Sequence, residues 1–181
     1  VLFRFAMKES PRDKEGQVFE DVTASMLRKW GPREVAWSSS VDLLSPKSRK
    51  RKDEIDIFGC SDDIAFIGEC KANRLSRNNL SVGVSFETVV LNKAVSQLET
   101  RITHWYEGWR PDGINPCKAS EAVGFAITFS SYGGMLWQYE SLIKEYAPVQ
   151  HAVIPLHSLI FAMSILDGPQ DLKRYLEHRE A

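Results

Sequence analysis

Residues 52–71 read KDEIDIFGCSDDIAFIGECK. Two apolar runs flank Asp62-Asp63, the pattern of two β-strands joined by a tight turn. With the turn centred between those aspartates, Asp56 precedes the centre by as many positions as Glu69 follows it. The two carboxylates then face each other across the ladder. Successive strand residues alternate faces, so Glu69 and Lys71 share a side and Cys70 turns away. Facing carboxylates repel unless something positive lies between them. A hard divalent cation with oxygen ligands meets that need, and a neighbouring lysine orients or activates a metal-bound water. The pattern points to metal-assisted hydrolysis of a phosphodiester.

The rest of the hairpin is apolar on both sides. Phe58, Cys60, Ala65 and Ile67 fall on the Asp56 face, and Ile55, Ile57, Ile64 and Phe66 on the other. A hairpin covered on both faces lies inside an α/β fold, so charges at its open end sit in a cleft. The plainer alternative is a structural ion cluster or a solvated strand end. Glu54 shares the face of Asp56 and is placed outside the site.

Working outward, residues 14–30 carry Val18, Phe19, Val22, Met26 and Leu27 at helical spacing, and Gly31-Pro32 ends that helix. A strand is expected at 34–41, broken up by three serines, then a basic loop at 45–52. Residues 73–85 are polar and aperiodic, a loop or lid. From 86 to 106, Val89, Val90, Lys93, Ala94, Gln97, Leu98, Ile102 and Trp105 mark a long amphipathic helix. A Pro- and Gly-rich loop at 110–117 leads to AVGFAITF at 122–129, a strand buried on both faces. Gly133-Gly134 precedes a helical stretch to about 146. A short strand at 151–155, a helix at 156–166 and a last helix to 178 complete the order. The reading is one α/β domain over 1–181, a central mixed β-sheet flanked by helices, with extra C-terminal helices at 151–181.

This order, with Asp56 and Glu69-Cys70-Lys71 on the hairpin, resembles the PD-(D/E)xK nuclease superfamily, the restriction-endonuclease-like fold. The likeness is to its type IV restriction enzyme and Holliday-junction resolvase branch, and covers the core at about 14–130. The resemblance implies that Asp56 and Glu69 ligate magnesium (or manganese), that the Cys70 carbonyl adds a ligand, and that Lys71 orients the attacking water. Glu20, in EGQVFE at 15–20, matches an acidic position on the first helix that faces the metal. Gln97, in NKAVSQLE, matches a glutamine on the helix after the lysine, with Lys93 one turn back on the same face. Ile55 stands where the first motif residue is often proline. The implied activity is a metal-dependent nuclease hydrolysing DNA, in defence against foreign DNA or in DNA processing. The alternative is an inactive module of the same fold that binds nucleic acid or protein within a larger assembly.

The chain has 181 residues, 43% of them hydrophobic and 26% charged, with a formal net charge of -1. That is the composition of an ordinary globular fold, not of a strongly basic nucleic-acid binder. Positive charge is concentrated in Lys47, Arg49, Lys50, Arg51 and Lys52, with Arg74 and Arg77 after the hairpin. Beside a metal site these residues would meet a phosphate backbone without regard to sequence; a solvated loop or a nuclear import signal explains the run equally well. His104, His151, His157 and His178 are dispersed, and none is read as a ligand or base. Trp105, Tyr106 and Trp109 are read as core or interface anchors. Three scattered cysteines, Cys60, Cys70 and Cys117, suggest no disulfide framework and hence a reducing compartment, cytoplasmic or nuclear, not secreted. No apolar run approaches ~18 residues, so no membrane span is expected. The chain opens VLFRFAMKES, without a leading Met, and is expected to belong to a longer or processed protein. Its apolar C-terminal helix at 156–166 completes the core or docks a partner domain or a second subunit.

Overall fold

The computed structural model describes residues 15–48, 52–72, 92–113, 117–129 and 151–178. The first helix, α1 (Glu15–Trp30), buries Phe19, Thr23, Ala24 and Leu27 on one stripe, with Glu15 in its first turn and Arg28 and Lys29 in its last. Both charge placements complement the helix dipole. Gly31 donates to the Leu27 carbonyl at 2.7 Å and closes the helix. A Cβ on Gly31 would stand 2.5 Å from that oxygen, so the close approach requires glycine.

The chain then forms β1 (Ala36–Leu44), β2 (Lys52–Cys60) and β3 (Ile64–Lys71), each antiparallel to the next. The first of these starts later and runs further than the sequence suggests. Val35 is still held in a turn by its bond to the Pro32 carbonyl, and Leu43 and Leu44 pair on both sides. Helix α2 (Asn92–Tyr106) crosses the sheet, and a two-residue strand, β4 (Arg110–Pro111), adds to the outer edge of β1. That short strand falls within the stretch read as loop. Strands β5 (Glu121–Thr128) and β6 (Ala152–Pro155) continue the sheet parallel to β3. Two helices follow, α3 (Leu156–Met163) and α4 (Pro169–His178). The former stops three residues short of the expected 166, where Ser164 caps it.

The result is a six-stranded mixed sheet in the order β4-β1-β2-β3-β5-β6, with four helices among the described residues. Helices α1, α3 and α4 share one core with Trp37, Ile57, Phe66 and Phe125; α2 shares the other with Phe58, Ile67 and Ala126. The expectations of a lid at 73–85 and a helix after Gly133-Gly134 lie outside the described residues, as does the 86–91 start of the predicted long helix.

Two strands break their alternation at one place. Ile55 and Ile57 are two apart yet lie in different cores, and so do Trp37 and Val41, four apart. Strict alternation would keep each pair on one side. The expected grouping of Ile55 with Ile57 is therefore corrected: Ile55 packs with Phe58. Between these switches lie Asp56 and, across the ladder from it, Ser40, whose φ is 50°. Positive φ in a residue other than glycine is unusual and concentrates at functional sites.

Candidate active site

The hairpin has the register expected from its sequence. Ser61 donates to the Ile64 carbonyl at 3.0 Å, leaving Asp62-Asp63 as the two-residue turn. Pairing runs from Cys60↔Ala65 to Ile57↔Gly68, and one further step places Asp56 opposite Glu69. There the regular ladder ends. The Asp56 carboxylate takes its place, its Oδ2 accepting from the Cys70 N–H at 2.8 Å. Gly68 leaves room for the side chain across from it: a Cβ there would be 2.9 Å from the Ile57 Cβ.

Glu69 is only 2% exposed, on the α2 side of the sheet. Its Oε1 accepts from the Lys71 ammonium, which also donates to Gln97 Oε1 at 3.1 Å. Cys70 points into the opposite core beside α1, where burial pushes its thiol pKa well up. Burial also lowers the pKa of the Lys71 ammonium, against the pull of Asp56. Gln97 therefore joins the site as the resemblance implies, whereas Lys93 is exposed.

Glu20 approaches from α1. Ser40 donates to its Oε2 at 3.2 Å, and Gln17 donates to Ser40 Oγ at 3.0 Å. Burial, then the nearby charge of Asp56, raises its pKa to about 7. The strained Ser40 thus stands between the helix that carries Glu20 and the strand that carries Asp56. Glu20, Asp56 and Glu69 do not close into one ligand set: among the described residues, no group of three or more His, Cys, Asp or Glu side chains converges to hold a metal ion.

The positive charge between the facing carboxylates belongs to Arg101, which the sequence reading did not single out. Its guanidinium Nη1 pairs with Glu69 Oε2, its Nη2 lies 4.0 Å from Asp56 Oδ1 and its Nε 3.7 Å from Asp53 Oδ1. Asp53 also meets His104 Nδ1 at 3.2 Å, and the His104 ring stacks on Trp109 with centroids 3.9 Å apart. Residues 97, 101 and 104 follow helical spacing, so one stripe of α2 delivers Gln97, Arg101 and His104 to the strand carboxylates. The signal for Arg101 was present. It lies on the apolar stripe of Ala94, Leu98 and Trp105, where a charged side chain requires a partner.

The basic run divides. Lys47 is exposed, and Lys52 is exposed and paired with Asp42 at 2.5 Å. Arg49, Lys50, Arg51, Arg74 and Arg77 lie outside the described residues. Trp105 and Trp109 are buried, as expected of core anchors, and Tyr106 is exposed.

The cysteine expectation is corrected. Cys60 and Cys117 form a disulfide, with Cα atoms 6.0 Å apart across a sequence separation of 57. Linear spacing conceals the pairing; the sheet brings the end of β2 beside the segment that enters β5. The cysteines therefore give no argument for a reducing compartment. Among the described residues, no helix is long and apolar enough to cross a membrane. A comparison of the sequence with known protein families and with curated proteins finds no match.

Proposed function

We propose that this chain is a magnesium-dependent nuclease of the PD-(D/E)xK type, acting on DNA. The observation that carries the reading is the convergence of residues picked from sequence alone. Asp56 lies opposite Glu69, and the Lys71 ammonium bridges Glu69 and Gln97. Apart from the two-residue β4, the order α-β-β-β-α-β, with β5 parallel to β3 after a helical crossover, agrees with the restriction-endonuclease-like core that the resemblance implies.

The donor chemistry fits a hard divalent cation. Asp56 and Glu69 offer carboxylate oxygens, and magnesium asks one or two carboxylates of a protein when phosphate and water complete its shell. Asp53, Asp56 and Glu69 outnumber the cations Lys71 and Arg101 around them, so the site retains negative charge. The metal would supply electrostatic stabilisation of the charge developing on the scissile phosphate. Lys71, with its lowered pKa and its two anchors, is suited to hold the attacking water or take up its proton. Gln97 and Glu69 fix the direction of that ammonium.

Asp56→Ala and Lys71→Ala are each expected to abolish magnesium-dependent cleavage of supercoiled, linear, single-stranded and branched DNA, with the far-UV circular dichroism unchanged. Cleavage that survives either substitution would sink the assignment.

Arg101 favours a second reading. A guanidinium already stands between the facing carboxylates, as in an inactive module that keeps the fold for binding nucleic acid or protein. Calorimetry with magnesium and manganese separates the two, since such a module shows no metal binding that depends on Asp56.

A further inference from the structure

Arg101 occupies the place that the carboxylate geometry reserves for a cation. Its side chain is 6% exposed, and the atoms it faces are the Oε2 of Glu69 and the Oδ1 of Asp56. The second oxygen of each carboxylate is engaged elsewhere: Glu69 Oε1 by Lys71 and Asp56 Oδ2 by the Cys70 N–H. A metal bridging the two strands would therefore need the same two oxygens that the guanidinium faces. Asp53, whose Oδ1 lies 3.7 Å from Arg101 Nε, is more exposed and belongs to neither motif position. Neither Nε nor Nη1 of Arg101 makes a hydrogen bond, so its hold on all three carboxylates is ion pairing, with the Glu69 pair the shortest.

We propose that Arg101 is a built-in counter-ion that competes with the metal. In the metal-free protein it pairs with Glu69 and partly offsets the charge of Asp56. When a divalent cation takes their oxygens, the guanidinium gives up Glu69 and turns onto Asp53, which His104 holds from its other side. The exchange rests on the metal-site reading above and concerns how that site is regulated. It limits metal affinity, because every binding event must displace a buried ion pair. It also explains how two facing carboxylates remain stable in a core before metal arrives, since an unpaired buried charge is strongly destabilising.

The test is calorimetry with magnesium chloride and manganese chloride on the wild type, Arg101→Gln and Asp56→Asn, together with nuclear magnetic resonance of the arginine Nε–H signals. Loss of the positive charge leaves more net ligand charge, which tightens divalent binding. Arg101→Gln is expected to bind magnesium at least about tenfold more tightly than the wild type. The Arg101 Nε–H signal, assigned by its loss in Arg101→Gln, is expected to shift when the wild type is saturated with magnesium. Binding to the variant alone supports the exchange in its strongest form. Suppose instead that the wild type binds metal through Asp56, but Arg101→Gln binds no tighter and the signal stays put. The metal site then stands and the exchange is overturned. If neither protein binds metal, the nuclease reading and the exchange fall together. Should Arg101→Gln fail to fold, the wild-type signal decides alone, and an unshifted resonance overturns the proposal.

Discussion

Glu69 is almost fully buried, with Lys71 on one oxygen and Arg101 on the other. In a low-dielectric interior such a triad is held by mutual compensation, and removal of one member leaves the others uncompensated. Glu69→Ala strips both cations of their closest carboxylate, and Asp56 and Asp53, at 4.0 and 3.7 Å from Arg101, recover only part of the loss. The substitution is expected to destabilise the fold by about 3–5 kcal/mol. Lys52→Ala removes a pair of comparable contact distance, but Lys52 is exposed and Asp42 partly so, and water screens them. Its midpoint in urea is expected to stay where the wild type's is, while that of Glu69→Ala moves far down. Equal midpoints for the two variants would show that the Glu69 triad carries no special weight.

The hairpin of β2 and β3 was the most legible element, because a two-residue turn sets the register and a one-residue slip would invert every side chain. Asp56 and Glu69 were placed face to face on that ground alone, and Gln97 followed from the resemblance. Arg101 and Asp53 escaped notice because their significance depends on where α2 crosses the sheet, which no local period encodes. The double switch of faces at Ser40 and Asp56 escaped for a different reason: period-two reasoning assumes regular φ, and Ser40 departs from it. The disulfide, too, is a product of sheet order. It ties the far end of β2 to the segment before β5 and closes a separation of 57 residues. Restraint of the unfolded chain by such a link contributes about 2–4 kcal/mol. Cys60→Ala with Cys117→Ala is expected to unfold at correspondingly lower urea, and the wild type in reductant is expected to match it. A wild type insensitive to reductant, with an unaltered double variant, would contradict the link's structural role.

Two half-buried titratable groups, one on α1 and one where β6 begins, bend the stability of the protein in opposite senses. Glu20, beside the carboxylates, has its pKa raised from 4.5 to about 7, by burial first and Asp56 second. The folded protein then holds a proton that the unfolded chain has released. The resulting stability is fully present below about 4.5 and is lost as pH rises through about 7. His151, where β6 begins, is pushed from 6.5 down to about 4 by burial. Here the unfolded chain is the better proton acceptor, so the stability is present above 6.5 and is lost as pH falls through about 4. Between 4.5 and 6.5 the two slopes oppose each other, and the wild type shows only their difference. Urea unfolding from pH 4 to 8, with chelator present, is expected to separate them. Subtracting the wild-type curve from that of Glu20→Gln cancels the other acids and bases, and the difference should climb with pH toward about 7. The same subtraction for His151→Gln should rise toward low pH, in the mirror sense. A flat Glu20→Gln difference would mean that the carboxyl is already ionised in the fold, its hydrogen bond from Ser40 offsetting burial and the neighbouring carboxylates. A difference of the expected sign would mean that the metal-free site keeps a proton in hand near neutrality, the state from which a divalent cation would have to displace it.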